Sequence, residues 1–160
     1  MTSKTELDAV DRKILRLLAT DGRASYQAIA DEVGLSRPAV MERVKRLEEG
    51  GFISGYVARI DRAKAGFPVT AFVAVRYANS DYVGEEPQMR HMEQHPGVLE
   101  CHHVAGEDCY ILKVAAPDLE RLQDVLRDLR GASQTPMSTR TTIVLGTVFE
   151  KAGFVPVEPD

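Results

Sequence analysis

Only two cysteines, Cys101 and Cys109, occur among 160 residues, which excludes a disulfide framework. No apolar run approaches the roughly 20 residues of a membrane span, and the start MTSKTELDAVDRK is polar rather than signal-like. A cytoplasmic chain with reduced thiols and no membrane partner is therefore expected. An excess of positive charge is also missing. The formal net charge is -4, so any nucleic-acid contact must come from a local patch. There is no C-x-x-C pair, no phosphate-binding glycine loop and no paired-carboxylate motif, which leaves little ground for an enzyme or a cofactor.

What is present is ordinary for a folded chain, with 44% hydrophobic and 28% charged residues. The charges divide unevenly: residues 1–62 hold 11 Lys/Arg against 10 Asp/Glu, residues 63–160 hold 9 against 14. Two parts with different tasks are implied. In the first, Leu7, Val10, Ile14, Leu15 and Leu18 form one helical stripe with Asp8 as N-cap, closed by Asp21-Gly22. Ser25 caps a second short helix with Ile29, Ala30 and Val33 inward, and Gly34 turns the chain sharply out of it. Ser36 caps a third helix, with Pro38 in its first turn and Gly50-Gly51 ending it. Three short helices with a tight glycine turn before the third make a helix-turn-helix, winged or simple, over residues 1–50.

Residues 52–60 predict a strand and Asp61–Gly66 a hinge, so 51–66 links the two parts. Beyond it the pattern runs strand (67–78), helix (86–95), strand (98–105), strand (109–116), helix (118–130) and strand (138–150). The two middle strands are expected to join in a tight Gly106-Glu107-Asp108 turn. This order predicts an α+β protein whose second domain, 67–150, is a ferredoxin-like βαββαβ domain, with 151–160 a loose tail. Two helices cover only one face of such a sheet, and the apolar other face asks for a second copy.

With Val40, Val44 and Leu47 on the inner side of the third helix, the outer side carries Pro38, Glu42, Lys45 and Arg46, bordered by Arg37 and Met41. An apolar back, a polar N-terminal front and flanking cations suit a helix that enters the major groove. The expected DNA-facing set is Ser25, Ser36, Arg37, Pro38, Met41, Glu42, Lys45 and Arg46. Glu48 and Glu49 at the far end fit docking through the N-terminal half alone. A solvated amphipathic helix is the competing reading.

His91 and His95 stand four apart on a helix, with Cys101, His102 and His103 close behind, a grouping compatible with zinc. Strand alternation sends His102 and His103 to opposite faces, so only one joins such a site, and a metal is not expected. The same alternation weakens a thiol enzyme built on Cys101 or Cys109 with a neighbouring histidine. A stand-alone ligand- or metal-sensing protein that does not bind DNA is the alternative from another class.

The run Leu7-Asp8, Asp11, Lys13-Ile14-Leu15, Asp21-Gly22-Arg23, Ser25, Ile29-Ala30, Val33-Gly34-Leu35-Ser36, Arg43-Val44, Leu47-Glu48, Gly51, Ile53 and Gly55-Tyr56 resembles the N-terminal signature of the Lrp/AsnC (leucine-responsive, feast/famine) transcriptional regulators. The Gly106 turn, Leu112-Lys113-Val114 and Thr139–Leu145 are similar to the family's effector domain, which implies that 67–150 is an effector-binding and oligomerisation domain. The resemblance implies a double-stranded DNA partner and homodimers that assemble further, often into octamers. It also implies an amino acid or related effector held where dimers meet. The residues it places at the effector are Gly106, Glu107, Asp108, Cys109, Thr141 and Thr142. Many relatives keep an acid three places after the turn glycine. Cys109 stands there instead, which implies a different ligand preference.

Overall fold

The computed structural model describes residues 7–78, 86–133 and 136–151. The chain divides into two compact units, Met1–Arg59 with Phe149–Asp160 and Ile60–Val148. The division falls inside the 51–66 segment that the sequence marks as the link. The residues of the expected tail beyond Lys151 lie outside the described residues.

The first unit contains α1 (Ala9–Thr20), α2 (Tyr26–Val33) and α3 (Arg37–Glu49). Asp8 caps α1 through a reciprocal pair of bonds: its carboxylate accepts the Asp11 N–H at 2.7 Å, and the Asp11 carboxylate accepts the Asp8 N–H at 3.3 Å. Ser25 and Ser36 cap α2 and α3 in the expected way. Gly34, at φ 73°, sits in the left-handed region that turns the chain between them. The stripes meet in a core of Ile14, Ile29, Ala30, Val40, Val44 and Leu47. Among the described residues of this unit no strand accompanies the three helices, which is the simple form rather than the winged one.

Residues 52–60 form no strand. They are irregular and mostly exposed, Val57 to 95%, because no neighbouring strand among the described residues offers them a ladder.

The second unit contains β1 (Val69–Tyr77), α4 (Glu86–Gln94), β2 (Val98–His103), β3 (Tyr110–Ala116), α5 (Leu119–Gly131) and β4 (Met137–Ile143). The sheet order is β2-β3-β1-β4, all neighbours antiparallel, which is the ferredoxin-like arrangement. Ala71, Val73, Val75 and Tyr77 of β1 pack with Leu112 and Val114 of β3 against Met92 of α4 and Leu122, Val125 and Leu129 of α5. Leu119, at the first position of α5, is exposed. The opposite face carries Phe72, Ala74 and Arg76 of β1, Ile111, Lys113 and Ala115 of β3, and Ser138, Arg140 and Thr142 of β4. Phe72 is 43% exposed there.

Two strand ends differ from expectation. β4 stops at Ile143 rather than 150, since β1 supplies one more acceptor, Thr70 O for Val144 N–H, and then ends. Leu145 and Val148 beyond it are exposed. The β2–β3 connection is a six-residue loop, 104–109, and not a tight turn. Val104 N–H closes it onto Cys109 O at 3.1 Å, while Cys109 N–H reaches across to Val75 O at 2.8 Å.

Candidate nucleic-acid interface and effector site

α3 presents two sides. Val40, Val44 and Leu47 are buried. Arg37, Pro38, Met41, Glu42 and Lys45 are exposed together, as the spacing predicts, and form the front that a duplex would meet. Lys45 makes only a loose, exposed pair with Glu49 at 3.6 Å, which a phosphate readily displaces. The Ser25 and Ser36 hydroxyls accept the N–H groups of Ala28 and Ala39 at 3.1 and 3.4 Å. Each keeps its own proton to donate at a helix N-terminus, where an anion is favoured.

Arg46 stands apart from this front. Its Nη2 donates to Asp11 Oδ1 and Oδ2 at 2.9 and 2.8 Å, and the side chain is 49% exposed. Arg43 Nη1 donates to Asp8 Oδ2 at 2.6 Å and to Asp11 Oδ1 at 2.7 Å. The Asp11 N–H and the Arg43 guanidinium hold the Asp8 carboxyl below its usual range, and the two carboxylates raise Arg43 in turn. The spacing put Arg46 on the outer side and assigned no role to Arg43 or Asp11. The D-x-x-D capping pair with two arginines three apart on a packed helix was the available signal.

In the second unit Gly106 has φ 143°, a value that L side chains rarely adopt, and the position of an added Cβ is open space. Glu107 is exposed beside it. Asp108 lies partly buried and accepts from Arg140 Nη2 at 2.9 Å, a partner the sequence gave no reason to name. Cys109 packs against the helix-covered core. Thr141 lies opposite Val73 and so points to the helix side, whereas Thr142 lies opposite Phe72 on the open face beside Arg140. The six expected effector residues thus divide. Asp108 and Thr142 are reached from the open side with Arg140, while Cys109 and Thr141 are turned toward the core.

The histidines are engaged in other ways. His91 and His95 Nε2 lie 2.9 and 3.5 Å from one Asp128 oxygen, His102 pairs with Glu100 at 3.3 Å, and the His103 ring stacks 5.1 Å from Tyr110. Bonds from His102 and Lys113 lower the Glu100 carboxyl. Among the described residues no group of three or more His, Cys, Asp or Glu is placed to hold a metal ion. Burial pushes the Cys101 thiol up, the wrong direction for a nucleophile. No helix among the described residues is long and apolar enough to cross a membrane.

A simple helix-turn-helix joined to a ferredoxin-like domain with an exposed glycine hairpin defines a class, the DNA-binding regulator with a separate sensing domain. The AsnC-type helix-turn-helix domain matches residues 7–48, and the Lrp/AsnC ligand binding domain matches residues 70–154. The chain belongs to the Lrp/AsnC family of transcriptional regulators. It is 37% identical over 151 residues to the transcriptional regulator LrpA of Mycobacterium tuberculosis, covering 94% of this chain and 97% of that protein. It superposes with a TM-score of 0.86 on the feast or famine regulatory protein of M. tuberculosis complexed with L-methionine. The two are 36% identical, over 94% of this chain and 100% of that one. The structure of Bacillus subtilis LrpC matches with a TM-score of 0.79 and 32% identity, over 91% of this chain and 99% of that one. Such relatives are named as transcriptional regulators, not enzymes.

Proposed function

We propose that this regulator works in the cytoplasm as a homodimer or a higher assembly such as an octamer, placing paired α3 helices in successive major-groove faces of a roughly palindromic operator. Half-sites then fall about one helical turn (~34 Å) or a multiple apart. Base edges meet Arg37, Met41 and Glu42, with Pro38 at the front. Phosphates meet Lys45 and the hydroxyls and helix starts of Ser25 and Ser36. The observation that carries this reading is the joint exposure of Arg37, Met41, Glu42 and Lys45 on a helix whose other side is fully buried.

The second unit holds an amino acid or related metabolite at the Gly106 loop, and occupancy shifts the assembly and hence DNA affinity. Gly106 lets a ligand approach the backbone, and Glu107 borders it. Asp108 offers a charge to an ammonium group, with Thr142 on the same side. The relative solved with L-methionine supports this ligand class. Cys109 and Thr141 shape the loop and strand from behind.

The test combines two assays. Gel shifts across a salt series should show affinity falling steeply as phosphate contacts release counterions. A thermal-shift screen of the common amino acids should find one that stabilises by about 2.7 kcal/mol at a hundred times its dissociation constant. Gly106→Phe should abolish that shift and spare DNA binding. A shift that survives Gly106→Phe moves the pocket elsewhere, and silence with every amino acid removes this effector class.

A further inference from the structure

We infer that Asp11 is a positioning residue for DNA recognition, holding α3 in place through Arg43 and Arg46, which thereby serve the orientation of the reading helix rather than the phosphates. Asp11 is a carboxylate with 1% of its surface exposed. A buried ion is tolerated only when its lone pairs are matched, and here they are. Oδ1 accepts from Arg43 Nη1 and Arg46 Nη2, and Oδ2 accepts from Arg46 Nη2 and the Asp8 N–H. Asp8 adds a second anchor, since it caps α1 and also accepts from Arg43.

The ion pairs, and not helical spacing, separate the arginines from the DNA front. Met41, Glu42 and Lys45 cluster outward, while Arg46, one turn on from Glu42, is drawn back with Arg43 onto the Asp11 carboxylate of α1. The apolar core beneath is non-directional and tolerates small sliding of one helix on another. Charge-assisted bonds to fixed guanidinium planes do not, and they set both rotation and height of α3. Base readout needs that setting, because a recognition site works only within about half an ångström of its productive geometry.

Charge and positioning push DNA affinity in opposite directions at Asp11. Removing one negative charge and releasing two arginines should, by electrostatics alone, strengthen binding to a polyanion. Positioning gives the reverse for a recognised sequence. The experiment uses the full chain, a duplex selected by the wild-type protein from a random pool, and a scrambled duplex of equal length, each titrated across a salt series. Asp11→Asn should weaken the selected duplex by roughly tenfold or more, the size of a lost base contact. Binding to the scrambled duplex should hold or rise. Arg46→Gln, at a half-exposed position that keeps the Arg43 anchor, should lower the same ratio without changing the salt slope on scrambled DNA. Circular dichroism of both variants corrects for any unfolded fraction, and if Asp11→Asn fails to fold, Arg46→Gln decides. Undiminished binding of the selected duplex by folded Asp11→Asn overturns the inference. So does an equal loss on both duplexes by Arg46→Gln with a slope shallower by about 0.9, the mark of one phosphate contact.

Discussion

The two units treat buried polarity in opposite ways. In the helical unit the buried carboxylate of Asp11 is met by two arginines and a backbone N–H, so the polar interior is complete. In the sheet unit the buried Gln88 donates to Leu129 O at 3.1 Å, yet its Oε1 has no partner among the described residues. One face of that sheet also leaves Phe72 uncovered. A reader must hold its shape alone until DNA arrives, whereas a sheet with an open face is finished by a second surface.

The largest effect should come from that face. Phe72→Asp puts a charge at its centre and should convert the proposed homodimer to monomer in sedimentation velocity, with circular dichroism unchanged. An intact assembly would break the contrast between a finished and an unfinished unit. Next in size are truncations within each core, Ile14→Ala and Leu112→Ala, each expected to cost about 2–5 kcal/mol. Hydrogen exchange should report faster opening of α1–α3 in the first and of β1–β4 in the second. Acceleration of both units by either change would mean that they do not open separately. A smaller effect belongs to Gly34→Ala. The Cβ finds free space, so only the left-handed backbone resists, at about 1–2 kcal/mol in urea unfolding.

The smallest effect is a titration. Burial, together with the hydrogen bond to Glu48 at 3.0 Å, raises the Tyr56 phenol from 10.0 to about 12. Because the folded value lies above the unfolded one, this contribution to stability is complete below pH 10 and is lost as pH rises through about 12. Phenolate absorbance should show one tyrosine ionising late, and Glu48→Gln should bring it forward. Ionisation near 10 in the wild type would mean that the Tyr56–Glu48 contact does not form.

Most of the fold was legible because period and punctuation agreed. Asp8, Ser25, Ser36 and Asp118 cap where polar residues precede apolar stripes, and Gly34 turns where only glycine is comfortable. The linking segment misled for a physical reason: FISGYVARI has strand composition, but a strand is a property of two segments, and this one has no pairing neighbour among the described residues. The hairpin was drawn too tight because a glycine marks a turn without fixing the number of residues around it. In the helical unit, the exposed front of α3 followed from 3.6-residue spacing. Arg46 did not, since spacing cannot tell a cation that faces solvent from one folded back onto a buried acid. Across the sheet, alternation correctly forbids Thr141 and Thr142 from sharing a side, and this separates two residues that the family resemblance had grouped.

β4 shows how little information can hold a strand in frame. In Met-Ser-Thr-Arg-Thr-Thr-Ile, hydroxyl residues occupy both faces, so a slip of one place would leave Ser138, Thr139, Thr141 and Thr142 nearly indifferent. Only three letters object. Met137 and Ile143 would exchange the helix side for the open one, and Arg140 would drive its guanidinium into the apolar layer, away from Asp108. The Asp108–Arg140 pair therefore acts as a parity check on the strand. A mutation that neutralises Arg140 removes the strongest penalty against misregistered copies, and its cost should appear as heterogeneity among refolded molecules more than as a lower melting temperature.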